Sequence, residues 1–107
     1  MSNLKPVTDA TFAAEVLAGE LPVLVDYWAD WCAPCRQLAP VLDELARQFE
    51  GQVKFVSVDT NENTAVAAAQ DVRTLPTVQL FVRGQLVDAL VGSVTKMKLR
   101  QSLENLV

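Results

Sequence analysis

The sequence predicts an α/β fold in which a central mixed β-sheet is flanked by helices on both faces. Two patterns support this prediction. An apolar run over Leu21 to Trp28 is followed by an amphipathic helical pattern over Cys32 to Phe49 and by a second apolar run over Val53 to Asp59. A strand-helix-strand unit of this length implies parallel strands joined by a right-handed crossover. Near the C-terminus, two further apolar runs enclose the Gly-containing segment 83–85, which predicts an antiparallel hairpin.

The N-terminal part of the chain predicts a short helix and then a central strand. We expect Thr8 to cap the helix, Asp9 to favour its dipole, and Phe12 and Val16, four residues apart, to face inward. The run from Leu21 to Trp28 is apolar on both alternating faces, which is typical of a central parallel strand.

The long helix that follows is predicted over Cys32 to Phe49, with Gly51 as its stop signal and a kink at Pro40. Its apolar side chains recur at helical spacing and are expected on one face. They are Leu38, Val41, Leu42, Leu45 and Phe49.

The second half of the chain completes the sheet. A strand is predicted over Val53 to Asp59, an Ala-rich helix over Glu62 to Gln70, and hairpin strands over Thr77 to Val82 and Leu86 to Val91. Thr95 is expected to cap a last helix. The inward residues of that helix are Leu99, Leu103 and Leu106.

Composition limits the function classes that need to be considered. The length suits one domain, so residues 1–107 are expected to form a single domain. Half of the residues are apolar and 21 % are charged, which excludes a disordered chain. The formal charge is −4 with scattered Lys and Arg residues, so no nucleic-acid role is expected. Met1 to Pro6 lacks signal-peptide features and no apolar run has the length of a membrane span, which predicts a cytoplasmic protein without membrane association.

The segment Trp31-Cys32-Ala33-Pro34-Cys35 contains the only two cysteines, and it directly follows the predicted central strand. Two thiols separated by two residues at the start of a helix lie close enough to bridge. The first thiol lies among the unpaired amides of the helix N-terminus, which favour the thiolate, the nucleophile in disulfide exchange. In a reducing compartment such a pair is more often catalytic or redox-sensing than structural.

Two other interpretations of the cysteine pair are weaker. A structural zinc site needs four ligands, and the chain has no histidine and no third cysteine, so only a zinc or iron–sulfur site shared between chains remains. A purely structural disulfide would close a very small loop, which constrains the unfolded chain least. Redox chemistry without a metal or other cofactor is therefore the leading prediction.

The cysteine motif, with Asp26 upstream, Pro40 inside the next helix and the segment Thr74-Leu75-Pro76-Thr77 later in the chain, resembles the thioredoxin family. The similarity extends over essentially the whole chain to the C-terminal helix. It implies the thioredoxin fold and a protein dithiol-disulfide oxidoreductase with a redox-active Cys32–Cys35 disulfide. It also implies disulfide-containing protein substrates and re-reduction by a thioredoxin reductase.

The two cysteines are assigned different roles. Cys32 is nearest to the helix start and is the expected nucleophile. Cys35 lies one turn further into the helix, where its sulfur is expected to be more buried and to resolve the mixed disulfide. The resemblance implies the same assignment.

Asp26 lies in an apolar strand, where an ionised carboxylate is unfavourable, so its pKa is expected to rise. The resemblance implies that it accepts the Cys35 proton, through water. A buried Asp that merely bonds a backbone amide is the alternative. Two positions depart from the common family pattern: Ser57 aligns with a position that usually carries Lys near this Asp, and Ala33 replaces the usual Gly, which leaves the reduction potential open.

Pro76 is expected at a strand start, where a sheet accepts proline. Residue pattern alone favours a trans peptide; the resemblance implies a cis peptide that faces the cysteine pair and keeps metals off the sulfurs. The residue before it would pair its backbone with the substrate chain. Trp31 is interpreted as a partner platform and not as a core aromatic. The predicted substrate groove consists of Trp31, Ala33, Pro34, Thr74, Leu75 and Gly92, although a plain turn explains Gly92 nearly as well.

Two functions remain open from sequence. The leading hypothesis is a general protein-disulfide reductase, expected to be a monomer. The alternative is a thioredoxin-fold docking or chaperone-like module in which the cysteines act as a switch, because fold alone does not determine function. The set of Cys32, Cys35, Asp26 and Pro76 favours the enzyme, because a docking module does not need a buried acid.

Overall fold

A computed structural model describes all residues from Met1 to Val107. The chain forms five strands, three α-helices and one short π-helix. In chain order these are β1 (Lys5–Pro6), the π-helix (Ala13–Leu17), β2 (Val23–Trp28), α1 (Ala33–Gln48), β3 (Lys54–Asp59), α2 (Thr64–Ala69), β4 (Thr77–Val82), β5 (Gln85–Val91) and α3 (Lys96–Glu104).

The five strands form one mixed sheet in the order β1-β3-β2-β4-β5. Strand β3 pairs in parallel with β1 and β2, whereas β4 pairs antiparallel with β2 and β5. The predicted parallel crossover through α1 and the predicted antiparallel hairpin are both confirmed. Strand β2 is the central strand and is hydrogen-bonded on both sides, by β3 and by β4. The turn that follows its C-terminal end therefore begins from a fixed strand.

Two apolar clusters cover the two faces of the sheet, which confirms the prediction of helices on both sides. Alternation along β2 divides its side chains between them, with Leu24 in one cluster and Val25 and Tyr27 in the other. The first cluster lies under α1 and α3, and its fully buried members include Leu24, Leu42, Leu80, Leu99 and Leu103. The second lies under the π-helix and α2 and includes Val16, Val25, Tyr27, Val66 and Phe81.

The β4–β5 turn is tighter than the sequence indicated. Arg83 and Gly84 both have positive φ, 49° and 80°, as a two-residue hairpin turn of the primed type requires. Strand β5 therefore begins at Gln85, one residue earlier than predicted. A Cβ on Gly84 would lie 2.7 Å from the carbonyl oxygen of Leu17, so close approach as well as conformation requires glycine.

The predicted cap of the first helix is wrong. The helix begins at Ala13, and its N-cap Phe12 makes no side-chain capping bond. Thr8 lies four residues before Phe12, and its backbone carbonyl accepts the Phe12 amide at 2.9 Å. Phe12 and Val16 are nevertheless buried as predicted.

Asp9 stabilises a different helix from the one predicted. Its Oδ1 accepts the amide of Val66, in the first turn of α2, at 2.8 Å. The N-cap of α2, Asn63, makes no capping bond with its side chain, so this amide has no local partner. Asp9 therefore caps α2 from a distant part of the chain. The predicted Thr95 cap of α3 is confirmed by a 3.1 Å bond from the Lys98 amide to Oγ1.

Candidate active site

The cysteine pair lies where β2 passes into α1. Cys32 is the N-cap of α1, with an extended backbone, and its Sγ accepts the amide of Cys35 at 3.2 Å. The two residues form a disulfide with a Cα–Cα distance of 5.3 Å. The sulfur of Cys32 thus accepts an amide that has no partner within the helix. This arrangement favours the thiolate when the pair is reduced.

The exposed fraction does not distinguish the two cysteines. Cys32 is 3 % exposed and Cys35 is 2 % exposed in the oxidised protein. The expectation that Cys35 is the more buried one receives no support from so small a difference. What differs is their place on α1, because only Cys32 lies at the N-cap. Ala33 and Pro34, which connect them, are exposed.

The Pro76 segment packs against the first turns of α1. The Leu75–Pro76 peptide is cis, as the resemblance implied. Pro76 is buried, and Pro76 and Pro34 line the same small cleft. The amide of Gly92 donates to the Pro76 carbonyl at 2.8 Å and so fixes this segment to the end of β5.

The other predicted groove residues differ in how far they are exposed. Trp31 is 69 % exposed, so it is not a core aromatic, and its Nε1 donates to Asn61 Oδ1 at 3.4 Å. Thr74 is exposed, whereas Leu75 is half-buried and packs on the second apolar cluster. Gly92 has a φ of 81°, so a backbone turn that favours glycine is enough to explain it.

Asp26 is a buried carboxyl, and no cation or hydrogen-bond donor of the protein offsets the cost of its burial. It is 2 % exposed, and no group of the protein donates a hydrogen bond to its Oδ1. Burial, and to a smaller extent the negative charge of Asp43 on α1, raise its pKa to about 7. The orphaned oxygen does not fit the alternative of a carboxylate satisfied by a backbone amide. A carboxyl with this pKa can take up or release a proton at neutral pH.

The position opposite Asp26 carries no cation. Ser57 is its direct partner in the β2–β3 register and is itself buried. The sequence pattern does not single out Asp43, because it lies seventeen positions along the chain from Asp26, on the polar side of α1. Trp28, which points to the same side of β2 as Asp26, lines a cleft of about 410 Å³ together with Asp43 and Pro40.

No group of three or more His, Cys, Asp or Glu side chains is arranged to hold a metal ion. No helix is long and apolar enough to cross a membrane.

Comparison with known proteins agrees with this geometry. The family model described as Thioredoxin matches residues 3–105. The chain belongs to the thioredoxin family. It is 53 % identical to Thioredoxin 1 of Nostoc sp. over 104 residues, and the match covers 97 % of each chain. Thioredoxin 1 of Synechococcus elongatus is 52 % identical and thioredoxin of Synechocystis sp. 50 % identical, again over 97 % of each chain.

Membership of the thioredoxin family confirms the predicted fold and the class of chemistry. The protein is a thioredoxin-type disulfide reductase, and its cysteine pair is at disulfide distance. Cys32, Cys35, Pro34 and Pro76 are brought together in one part of the molecule, and Asp26 lies buried on β2, six residues before Cys32.

Proposed function

We propose that this thioredoxin reduces disulfides of other proteins, with Cys32 as the attacking sulfur and Cys35 as the resolving sulfur. The observation that carries this assignment is the N-cap position of Cys32, whose sulfur accepts the helix amide of Cys35. That amide stabilises negative charge on Cys32 and not on Cys35.

The proposed reaction is balanced by two thiol–disulfide exchanges. The Cys32 thiolate attacks one sulfur of the substrate disulfide, a mixed disulfide forms, and the other substrate sulfur leaves as a thiolate. Cys35 then loses its proton and attacks the Cys32 sulfur. The intramolecular disulfide forms, the second substrate thiolate leaves, and two electrons have passed from the cysteine pair to the substrate.

Asp26 is the proposed acceptor of the Cys35 proton, through a water molecule. Its pKa of about 7 leaves a substantial fraction ionised at neutral pH, and its unpaired Oδ1 is free to accept. Ser57 supplies no positive charge beside it, so in this protein Asp26 works without a neighbouring cation.

The substrate is proposed to lie in a groove between the cysteine turn and the Pro76 segment. Trp31 offers an exposed apolar surface on one side. On the other side Leu75, directly before Pro76, would pair its backbone with the substrate chain, and the neighbouring Thr74 is exposed. A partner that binds here covers both buried sulfurs.

A thioredoxin reductase is the proposed electron donor that returns the Cys32–Cys35 disulfide to the dithiol. We also propose that the chain acts as one domain, as a monomer, in the cytoplasm. The family model covers residues 3–105, which supports a single functional unit.

The test is reduction of insulin disulfides, first with dithiothreitol and then with NADPH and a thioredoxin reductase as reductant. Turnover with both is expected. The matched control is the variant in which both cysteines are replaced by serine, which should give the uncatalysed rate. Wild-type protein that is no faster than this control with either reductant would reject the enzyme and leave the docking module.

A further inference from the structure

A buried chain of hydrogen bonds runs from β2 to the end of α2. The hydroxyl of Tyr27 donates to Gln79 Oε1 at 2.8 Å, and Gln79 Nε2 donates to the backbone carbonyl of Gln70 at 3.1 Å. Tyr27 is fully buried and Gln79 is 4 % exposed. The redox chemistry described above uses neither side chain.

The donor and acceptor of each of these two hydrogen bonds can be assigned. The Tyr27 phenol stays protonated, because burial raises its pKa, and the carbonyl of Gln70 can only accept a hydrogen bond. The Gln79 amide must then accept from Tyr27 and donate to Gln70. The reverse orientation would place Oε1 against the carbonyl oxygen of Gln70, and two acceptors would face each other.

Gln79 satisfies a backbone group that the helix itself cannot satisfy. Gln70 is the C-cap of α2, and the last carbonyls of a helix have no partner within it. The following residue, Asp71, has a φ of 58°, and the amides of Asp71 and Val72 donate back to Ala68 and Ala67. This is the Schellman arrangement, and the Gln79 amide adds a tertiary contact to it.

The anchored helix end leads directly into the Pro76 segment. Residues 71–76 connect α2 to β4. The downstream end of this connection is held by Thr77 Oγ1, which donates to the Thr74 carbonyl, and by the Gly92 amide, which donates to the Pro76 carbonyl. The upstream end is held by Gln79.

The anchor also connects this segment to the strand that carries Asp26. Tyr27 pairs with Thr77 in the β2–β4 register, so Gln79 is its diagonal neighbour on the same face of the sheet. Strand β2 leads into the cysteine turn, and β4 follows Pro76. The same pair of side chains therefore joins the two backbone segments that must face each other across the groove.

We propose that Tyr27 and Gln79 are positioning residues that hold segment 71–76 in the place where it binds the substrate chain. The inference rests on the proposed function, because it takes that segment as one wall of the substrate groove. The hydrogen bonds of Tyr27 and Gln79 do not involve Cys32 or Cys35, so their effect is on binding of a protein substrate and not on the chemistry of exchange.

The test compares two substrates in the Gln79→Leu variant. This variant lacks both hydrogen bonds of the Gln79 side chain, and KM for insulin is expected to rise by about two- to tenfold, with kcat little changed. The rate with hydroxyethyl disulfide, which is too small to use segment 71–76, is expected to equal the wild-type rate. The double variant Tyr27→Phe/Gln79→Leu leaves no unpaired side-chain group in the core, so it provides a stably folded form of the same test.

The second measurement is amide hydrogen exchange in the oxidised protein. Asp71 and Val72 amides are expected to exchange faster in Gln79→Leu, while amides of β3 stay protected. Val16→Ala is the matched control, because it removes buried apolar volume from the same cluster without touching the anchor. It should change neither KM nor the exchange at residues 71 and 72.

The proposal would be overturned by unchanged exchange at these two amides, by unchanged KM for insulin, or by an equal rise of KM in Val16→Ala. A proportional fall of the rates on both disulfides would also contradict it, because it indicates a general loss of reactivity. Wild-type protein that cannot reduce insulin would reject the proposed function instead, while the exchange measurement would still decide whether the anchor holds the segment.

Discussion

Replacement of Asp26 by Asn is expected to stabilise the protein at neutral and alkaline pH. The pKa of this carboxyl rises from its ordinary 3.8 to about 7 in the folded protein. Each pH unit of that difference corresponds to about 1.4 kcal/mol, so ionised Asp26 lowers the free energy of unfolding by up to about 4 kcal/mol. Asn removes the charge and keeps the shape, but it buries an amide, at a cost of about 1–3 kcal/mol if unpaired. The expected net gain at pH 8 is therefore about 1–3 kcal/mol.

The increase in the free energy of unfolding caused by Asp26→Asn should depend on pH. Below pH 3.8 the Asp26 carboxyl is protonated in both states, and ionisation has no effect on stability. Between pH 3.8 and about 7 the unfolded chain releases the proton while the folded protein keeps it, so the wild-type free energy of unfolding falls as the pH rises. Above about pH 7 both states are ionised and the difference is constant. The advantage of Asp26→Asn should thus shrink by about 1.4 kcal/mol for each pH unit below 7.

Urea denaturation of the oxidised protein at several pH values from 5 to 8 measures this difference. Glu62→Gln is the matched control, because Glu62 is exposed and removal of its charge should leave the pH profile unchanged. Single-turnover reduction of insulin by the reduced proteins tests the other role, and Asp26→Asn should slow the resolving step. Parallel pH profiles for wild type and Asp26→Asn, or a variant less stable at pH 8, would refute the reasoning and make Asp26 a satisfied structural carboxylate.

Three further outcomes are expected. Cys32→Ser should abolish turnover, whereas Cys35→Ser should accumulate a mixed disulfide at Cys32 that mass spectrometry detects; an adduct at Cys35 in the reciprocal variant would reverse the two roles. Pro76→His should let the reduced cysteines capture zinc and should lower activity, and a variant that stays metal-free in a zinc titration with full activity would contradict a shielding role. Gly84→Ala should lower the free energy of unfolding by about 1–3 kcal/mol, because a positive φ and a carbonyl contact both oppose a Cβ. Gly19→Ala, with open space at the Cβ position, is its control, and equal melting of the two variants would refute this explanation.

Short-range patterns predicted the elements that carry the site. Strand β2 was predicted from its apolar run, α1 from its helical spacing, and the Thr95 cap from residue type, and the structure places all three within a few residues of the prediction. Each depends on neighbours in sequence. The cis form of Pro76 came from family resemblance, because local residue pattern favours a trans peptide.

The bond that Asp9 makes to α2, where it was expected to favour the dipole of the first helix, shows what such patterns do not contain. Asp9 has the right residue type for a cap, but its partner is the Val66 amide, 57 residues away. The Tyr27–Gln79 pair joins residues 52 apart, and both were included in predicted strands without any sign that they bond. The partner of Asp9 is determined by the position of α2, and the Tyr27–Gln79 contact by the β2–β4 register. Local sequence patterns describe neither. A Gln in the middle of an apolar strand was the one available signal.

The burial of both sulfurs has a consequence for selectivity. A thiolate that reduces the Cys32–Cys35 disulfide must reach a specific sulfur along an open approach, and here that sulfur belongs to a residue only 3 % exposed. We expect a colliding small thiol to meet this requirement less often than a thiol of a docked protein. A protein that docks over Trp31 and Pro34, as proposed above, would bring its own sulfur to the same place on every encounter. The burial of both sulfurs is therefore expected to slow exchange with the bulk thiol pool relative to exchange within a protein complex.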